Sequence, residues 1–200
     1  MGNADRLLEI RERLGSLSWF MRFLNEAIAL AANREDGCTG RFWEGRFHCK
    51  ALTTDHALLG AMGYADLNPV RAGITDRLET SAHTAIHRRL IALAQQPDTA
   101  DEPLEPLAGP AAELFPRIST AQYIELLDWT GRIQRSDKAG YITGPPPDWL
   151  GKRPCSNSHW LIMATALKRT FGAAVGDAQA LDAFARKTGR HWVRGVGSMR

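Results

Sequence analysis

The stretch DHALLGAMGYADLNPVRAG, residues 55–73, sets the reading of the whole chain. At about 100° per residue, Leu58, Leu59, Ala61, Met62 and Ala65 gather on one face, as in an amphipathic helix. Thr54 supplies a side-chain oxygen for the exposed amides of the first turn. Pro69 has no N–H and a fixed φ. The pattern therefore predicts a helix capped by Thr54, running through Leu67 and stopped by Pro69. Tyr64 falls about 130° from the middle of the apolar face, and Asn68 about 90° from it. Four residues apart, they share one stripe, one turn from each other. A tyrosine aimed away from the apolar side, with a short amide beside it, is open to a ligand. A half-exposed tyrosine with its hydroxyl in water is the commoner case.

Upstream, RFWEGRFHCKAL (residues 41–52) interleaves Phe42, Trp43 and Phe47 with Arg41, Arg46 and Lys50. It reads as one extended strand with a bulge at Gly45, or as a tight hairpin. Rings among cations suit base stacking and phosphate contact. On a strand, however, alternate side chains go to the core, so at least one ring is expected to be packed. Before it, residues 4–14 and 17–33 show helical apolar spacing, the second capped by Ser16 or Ser18. NREDGCTG (33–40) is turn chemistry.

Downstream, residues 93–118 are rich in Pro, Ala and acid, with one basic and five acidic side chains. They read as a linker between an N-terminal module, 1–92, and a basic helical module, 119–200. Residues 1–92 carry 12 basic and 11 acidic side chains, and 119–200 carry 12 basic and 6 acidic. Helices are expected near 119–135, 156–171 and 177–188. Arg186, Lys187, Arg190, Arg194 and Arg200 close the chain with no acid among them. Such an end suits a polyanion, or serves solubility. Trp129, Trp149, Trp160 and Trp192 read mainly as core anchors.

Two hundred residues with 44% hydrophobic and 24% charged side chains suit a soluble globular protein and exclude a disordered or collagen-like chain. No apolar run approaches the roughly 20 residues that span a bilayer. The charged start MGNADRLLEI lacks a signal-peptide core, and Arg6 stands where a myristoylation signal needs Ser or Thr. Three cysteines are too few for a disulfide scaffold. A reduced, cytoplasmic protein with no membrane partner is the expectation.

GRFWEGRFHCKAL followed by YADLNPVRAGI resembles the REP-associated tyrosine transposases, members of the single-tyrosine HUH transposase superfamily. The family pattern is an aromatic-basic strand and then a helix ending in tyrosine, asparagine-proline-valine and glycine. Arg41, Phe42, Trp43, Arg46, Tyr64, Asn68, Pro69, Val70 and Gly73 match it in order. SLSWFMRFLNEAIALAANREDGCTG, AQYIELLDWTGRIQRSDKAG and the closing HWVRG are also similar to one branch of that family.

The resemblance implies a mostly helical α+β fold, a remnant of the sheet-plus-helices transposase domain followed by a helical C-terminal domain. It implies transposition chemistry on single-stranded, hairpin-forming DNA, with Tyr64 as the nucleophile that forms a phosphotyrosine link. Arg41, Trp43, Arg46, Lys50 and Arg71 become candidate DNA contacts, and a homodimer is the implied assembly. The family binds Mg²⁺ or Mn²⁺ through a His-hydrophobic-His pair and a third ligand, which corresponds here to Asn68. The six histidines, His48, His56, His83, His87, His159 and His191, include no such pair. The sequence is therefore expected to be the distal part of a transposase, with cleavage impaired. The alternatives are a catalytically inactive DNA-binding remnant and a helical interaction module without DNA.

Other spacings say less. His83 and His87 are four apart, as zinc ligands on a helix can be, although an exposed basic helix face is the better reading. Ten residues without a CxxC unit separate Cys38 from Cys49.

Overall fold

The computed structural model describes residues 3–104, 118–134, 147–149 and 156–199. The chain is mostly helical, and it divides into two compact units between Cys49 and Lys50.

The first unit holds α1 (Asn3–Leu14) and α2 (Leu17–Glu35). Ser16 caps α2, its hydroxyl accepting from the Trp19 amide. The guanidinium carbons of Arg13 and Arg22 lie 4.5 and 5.0 Å from the centre of the Trp19 ring. None of the described residues of this unit is buried. Leu14, Phe20, Phe23 and Leu30 are all more than half exposed, so α1 and α2 enclose no core of their own.

RFWEGRF forms neither the expected strand nor a hairpin. A strand needs a neighbour for its backbone donors and acceptors, and among the described residues none lies beside 41–49. Side chains hold the segment instead. The Trp43 indole N–H donates to the Asn25 carbonyl at 2.9 Å, the Arg41 Nε donates to the Trp43 carbonyl at 2.9 Å, and Asn33 Nδ2 donates to the Gly40 carbonyl at 3.0 Å. Phe42 and Trp43 meet edge to face, 4.9 Å between centroids.

The second unit begins with β1 (Ala51–Leu52), which pairs in parallel with β2 (Ala174–Val175), Ala51 opposite Ala174. α3 (Asp55–Asp66) follows, capped by Thr54 and ended at Leu67, within one residue of the expected bounds. Pro69 does not end the helical course. It opens a further turn, α4 (Asn68–Arg71), where the missing N–H costs nothing. α5 (Ala85–Gln95), α6 (Thr120–Gln134), α7 (Asn157–Thr170) and α8 (Ala178–Lys187) complete the unit. The last three lie within two residues of the expected helices.

α3 packs on α7 through small residues. A Cβ on Gly60 would stand 2.6 Å from the Met163 Cβ, and one on Gly63 would stand 3.0 Å from the Trp160 ring. The buried face of α3 is Ala57, Leu59, Gly60, Gly63 and Asp66, whereas Ala65, expected on it, is exposed. Hydrophobic periodicity does not register glycine as a contact residue, yet glycine is what lets the two helices approach. Trp160, Tyr123, Phe171 and Leu127 lie at the centre of the core. Trp160 donates its indole N–H to Thr130 Oγ1 at 2.8 Å, so the core carries no loose donor there.

The expected boundary at 93–118 falls inside this unit. α5 runs to Gln95, and the ends of the acidic stretch are pinned by Leu104 N–H to Ile118 O at 3.0 Å and Thr120 N–H to Glu102 O at 3.0 Å. Residues 105–117 lie outside the described residues. The described residues of 50–92 and 119–199 contribute to one core within this unit. Trp192, expected inside, is 72% exposed. His83 does not sit on a helix with His87. It has φ 64, before the Thr84 cap, and the His87 Nδ1 lies 2.8 Å from the Glu79 carbonyl.

Candidate nucleic-acid interface around Tyr64

The break between α3 and α4 organises three side chains. Tyr64 lies in the last turn of α3, Asn68 opens α4, and Arg71 closes it. Spacings of four and three place them on one side of the helical course. Arg71 links the other two. Its guanidinium carbon stands 3.7 Å from the centre of the Tyr64 ring, its Nη1 donates to the Tyr64 carbonyl at 3.3 Å, and its Nη2 donates to Asn68 Oδ1 at 2.6 Å. A cation over a tyrosine face is worth about 0.5–1 kcal/mol at an exposed site. Tyr64 is half-buried with its ring packed against the core, and Asn68 is exposed.

Two residues along from Tyr64 lies a group that the sequence reading passed over. Asp66 is buried, and its carboxylate accepts from the Tyr123 hydroxyl at 2.6 Å and from the Ile86 amide at 3.1 Å. It therefore ties the end of α3 to the start of α5 and to α6. Burial, and then the charge of Asp66, push the Tyr123 hydroxyl far above the ordinary tyrosine value. The signal available in the sequence was an Asp between two residues, Ala65 and Leu67, that suit an apolar helix end.

Lys50 is not a free cation for DNA. Its ammonium donates to the carbonyls of Phe171 and Gly172, the latter at 2.7 Å, and so closes the C-terminal end of α7. Desolvation, and then the nearby charge of Arg194, lower its pKa. Arg41, Trp43 and Arg46 are exposed and belong to the first unit, while Lys50, Tyr64, Asn68 and Arg71 belong to the second. Within the second unit, Tyr64, Asn68 and Arg71 are brought together, while Lys50 is held at the end of α7.

The residues present do not fit the divalent ion that the family resemblance implies. The Asn68 oxygen already accepts from a guanidinium, which places positive charge where a metal ion would stand. Among the described residues no group of three or more His, Cys, Asp or Glu side chains is gathered as a metal site needs. The arrangement suits an anion instead. A phosphate oxygen approaching Arg71 would find a charge-assisted donor beside a tyrosine hydroxyl and an amide.

Among the described residues no helix is long and apolar enough to cross a membrane. No family model matches the chain, and neither a curated protein nor a solved structure is significantly similar to it.

Proposed function

We propose that this chain is a transposase-family protein that binds single-stranded hairpin DNA, with Tyr64 at the nucleophile position. On this reading a remnant of the transposase sheet-plus-helices domain is joined to further helices, and its cleavage chemistry is impaired. The observation that carries the proposal is the Tyr64–Asn68–Arg71 cluster, with Arg71 3.7 Å over the ring and bonded to the amide. Arg71 would hold a backbone phosphate beside the Tyr64 hydroxyl. In the family reaction the hydroxyl oxygen forms a bond to phosphorus, the bond from phosphorus to the 3′ oxygen breaks, and the proton ends on that oxygen. This sequence holds no His-x-His pair, and the Asn68 oxygen is engaged, so binding without cleavage is the activity supported for these 200 residues.

The test is a filter-binding titration with labelled hairpin DNA across a salt series, beside a denaturing gel with Mn²⁺ and a Tyr64→Phe control. Binding that falls steeply with salt, without an adduct, is expected. A detergent-resistant adduct that vanishes in Tyr64→Phe would restore full catalysis to the reading. Absence of hairpin binding would sink it and favour the helical interaction module.

A further inference from the structure

The segment after α8 folds back over the end of α7 and is fastened on both sides of Trp192. Val193 and Met199 are buried, the Gly172 amide donates to the Arg194 carbonyl at 3.1 Å, and Arg194 Nη2 donates to the Arg169 carbonyl. Gly195 has φ 118, and a Cβ there would meet the Phe171 ring at 2.6 Å, so only glycine permits this close return. Before Trp192, the Arg190 amide donates to the Ala185 carbonyl at 2.9 Å.

On this fastened backbone the indole of Trp192 points outward, 72% exposed, between exposed His191 and buried Val193. Packing does not account for a tryptophan at this place, since most of its apolar surface stays in water. The chain on either side of it is cationic. Arg186, Lys187, Arg190 and Arg194 are exposed, and no acid occurs from Arg186 to the end of the chain. The Lys50 ammonium is held at the Phe171 and Gly172 carbonyls, close enough to Arg194 for their charges to interact.

We propose that Trp192 and its flanking cations form a stacking platform for an unpaired base of single-stranded nucleic acid, a contact surface separate from the Tyr64 cluster. Charge complementarity selects the occupant. A polyanion with exposed bases satisfies both the ring and the cations, whereas duplex DNA offers only phosphates to this surface. The inference takes its ligand class from the function proposed above, but it rests on other residues.

The test is fluorescence anisotropy of a labelled oligothymidylate with the full chain, its Trp192→Ala and Trp192→Phe variants and a Lys187→Gln/Arg190→Gln double variant. Trp192→Ala is expected to weaken binding about tenfold, and Trp192→Phe to restore most of it. The double variant is expected to flatten the salt dependence. Equal affinity of wild type and Trp192→Ala would overturn the platform, and if hairpin binding persisted the transposase reading would stand without it. Trp192-dependent oligothymidylate binding with no hairpin binding would support the platform and sink the Tyr64 reading. Binding to phosphatidylserine vesicles but to no oligonucleotide would overturn both.

Discussion

The Tyr123 hydroxyl donates to Asp66 Oδ2 at 2.6 Å, while Oδ1 of the same carboxylate accepts the Ile86 amide at 3.1 Å. One buried charge thus holds three helices two residues away from Tyr64. The position of the Tyr64 cluster depends on a bond between residues 57 positions apart in the chain.

Replacing Tyr123 by Phe leaves Asp66 without its hydroxyl donor. The expected loss is about 1–3 kcal/mol at neutral pH, the cost of a buried charge deprived of one hydrogen bond. A pH dependence goes with it. The folded-state pKa of Tyr123 is raised above its ordinary 10.0, so this contribution to stability is complete below that value and is lost as pH rises above it. Urea unfolding is expected to show stability falling by about 1.4 kcal/mol per unit above pH ~10, and this component is expected to be absent in Tyr123→Phe. Parallel alkaline slopes in the two proteins would contradict the assignment.

Tyr64→Phe keeps the ring that Arg71 covers and removes only the hydroxyl. Its effect on stability is expected to stay within about 0.5 kcal/mol. Any change it produces in DNA chemistry then reports on the hydroxyl and not on folding. Arg71→Gln, by contrast, is expected to weaken hairpin binding while leaving the melting temperature within a few degrees. Thermal melts beside the binding titration check both.

Gly60→Ala and Gly63→Ala separate packing from helix propensity. Alanine favours a helix interior by about 1 kcal/mol over glycine. At Gly60 the new methyl would stand 2.6 Å from the Met163 Cβ, which cannot rotate away, so a net loss of about 1–3 kcal/mol is expected. At Gly63 the nearest atom is 3.0 Å away on the Trp160 ring, a milder overlap than at Gly60, and a smaller loss is expected. Denaturant midpoints of the two variants give the order, and Gly63→Ala proving the worse would refute it.

Lys50→Met removes the two hydrogen bonds to the Phe171 and Gly172 carbonyls. About 1 kcal/mol of stability is expected to go with them, and hairpin binding to change little. A large drop in affinity at unchanged stability would return Lys50 to the DNA-contacting set.

Much of the helical course was legible along the chain. Thr54 is a cap in sequence and in structure, and Ser16 is the one of the two candidate serines that caps α2. The apolar spacing located α1, α2 and α3, and α6, α7 and α8 lie where helices were expected. These features rest on interactions within one or two turns, so neighbouring residues specify them. The stripe joining Tyr64 to Asn68 was legible for the same reason, although the role of Arg71 in bridging them was not.

Contacts distant in sequence account for the rest. RFWEGRF has the composition of a strand but no strand beside it among the described residues, and its rings turn to local partners. Lys50 has the composition of a DNA contact, yet carbonyls 121 and 122 residues away claim its ammonium. Trp192 has the composition of a core residue, yet the return of the chain over Phe171 leaves it in solvent. Composition and periodicity state what a side chain can do. Which partner reaches it first depends on the packing of segments far apart in the chain, and a linear pattern does not encode that distance.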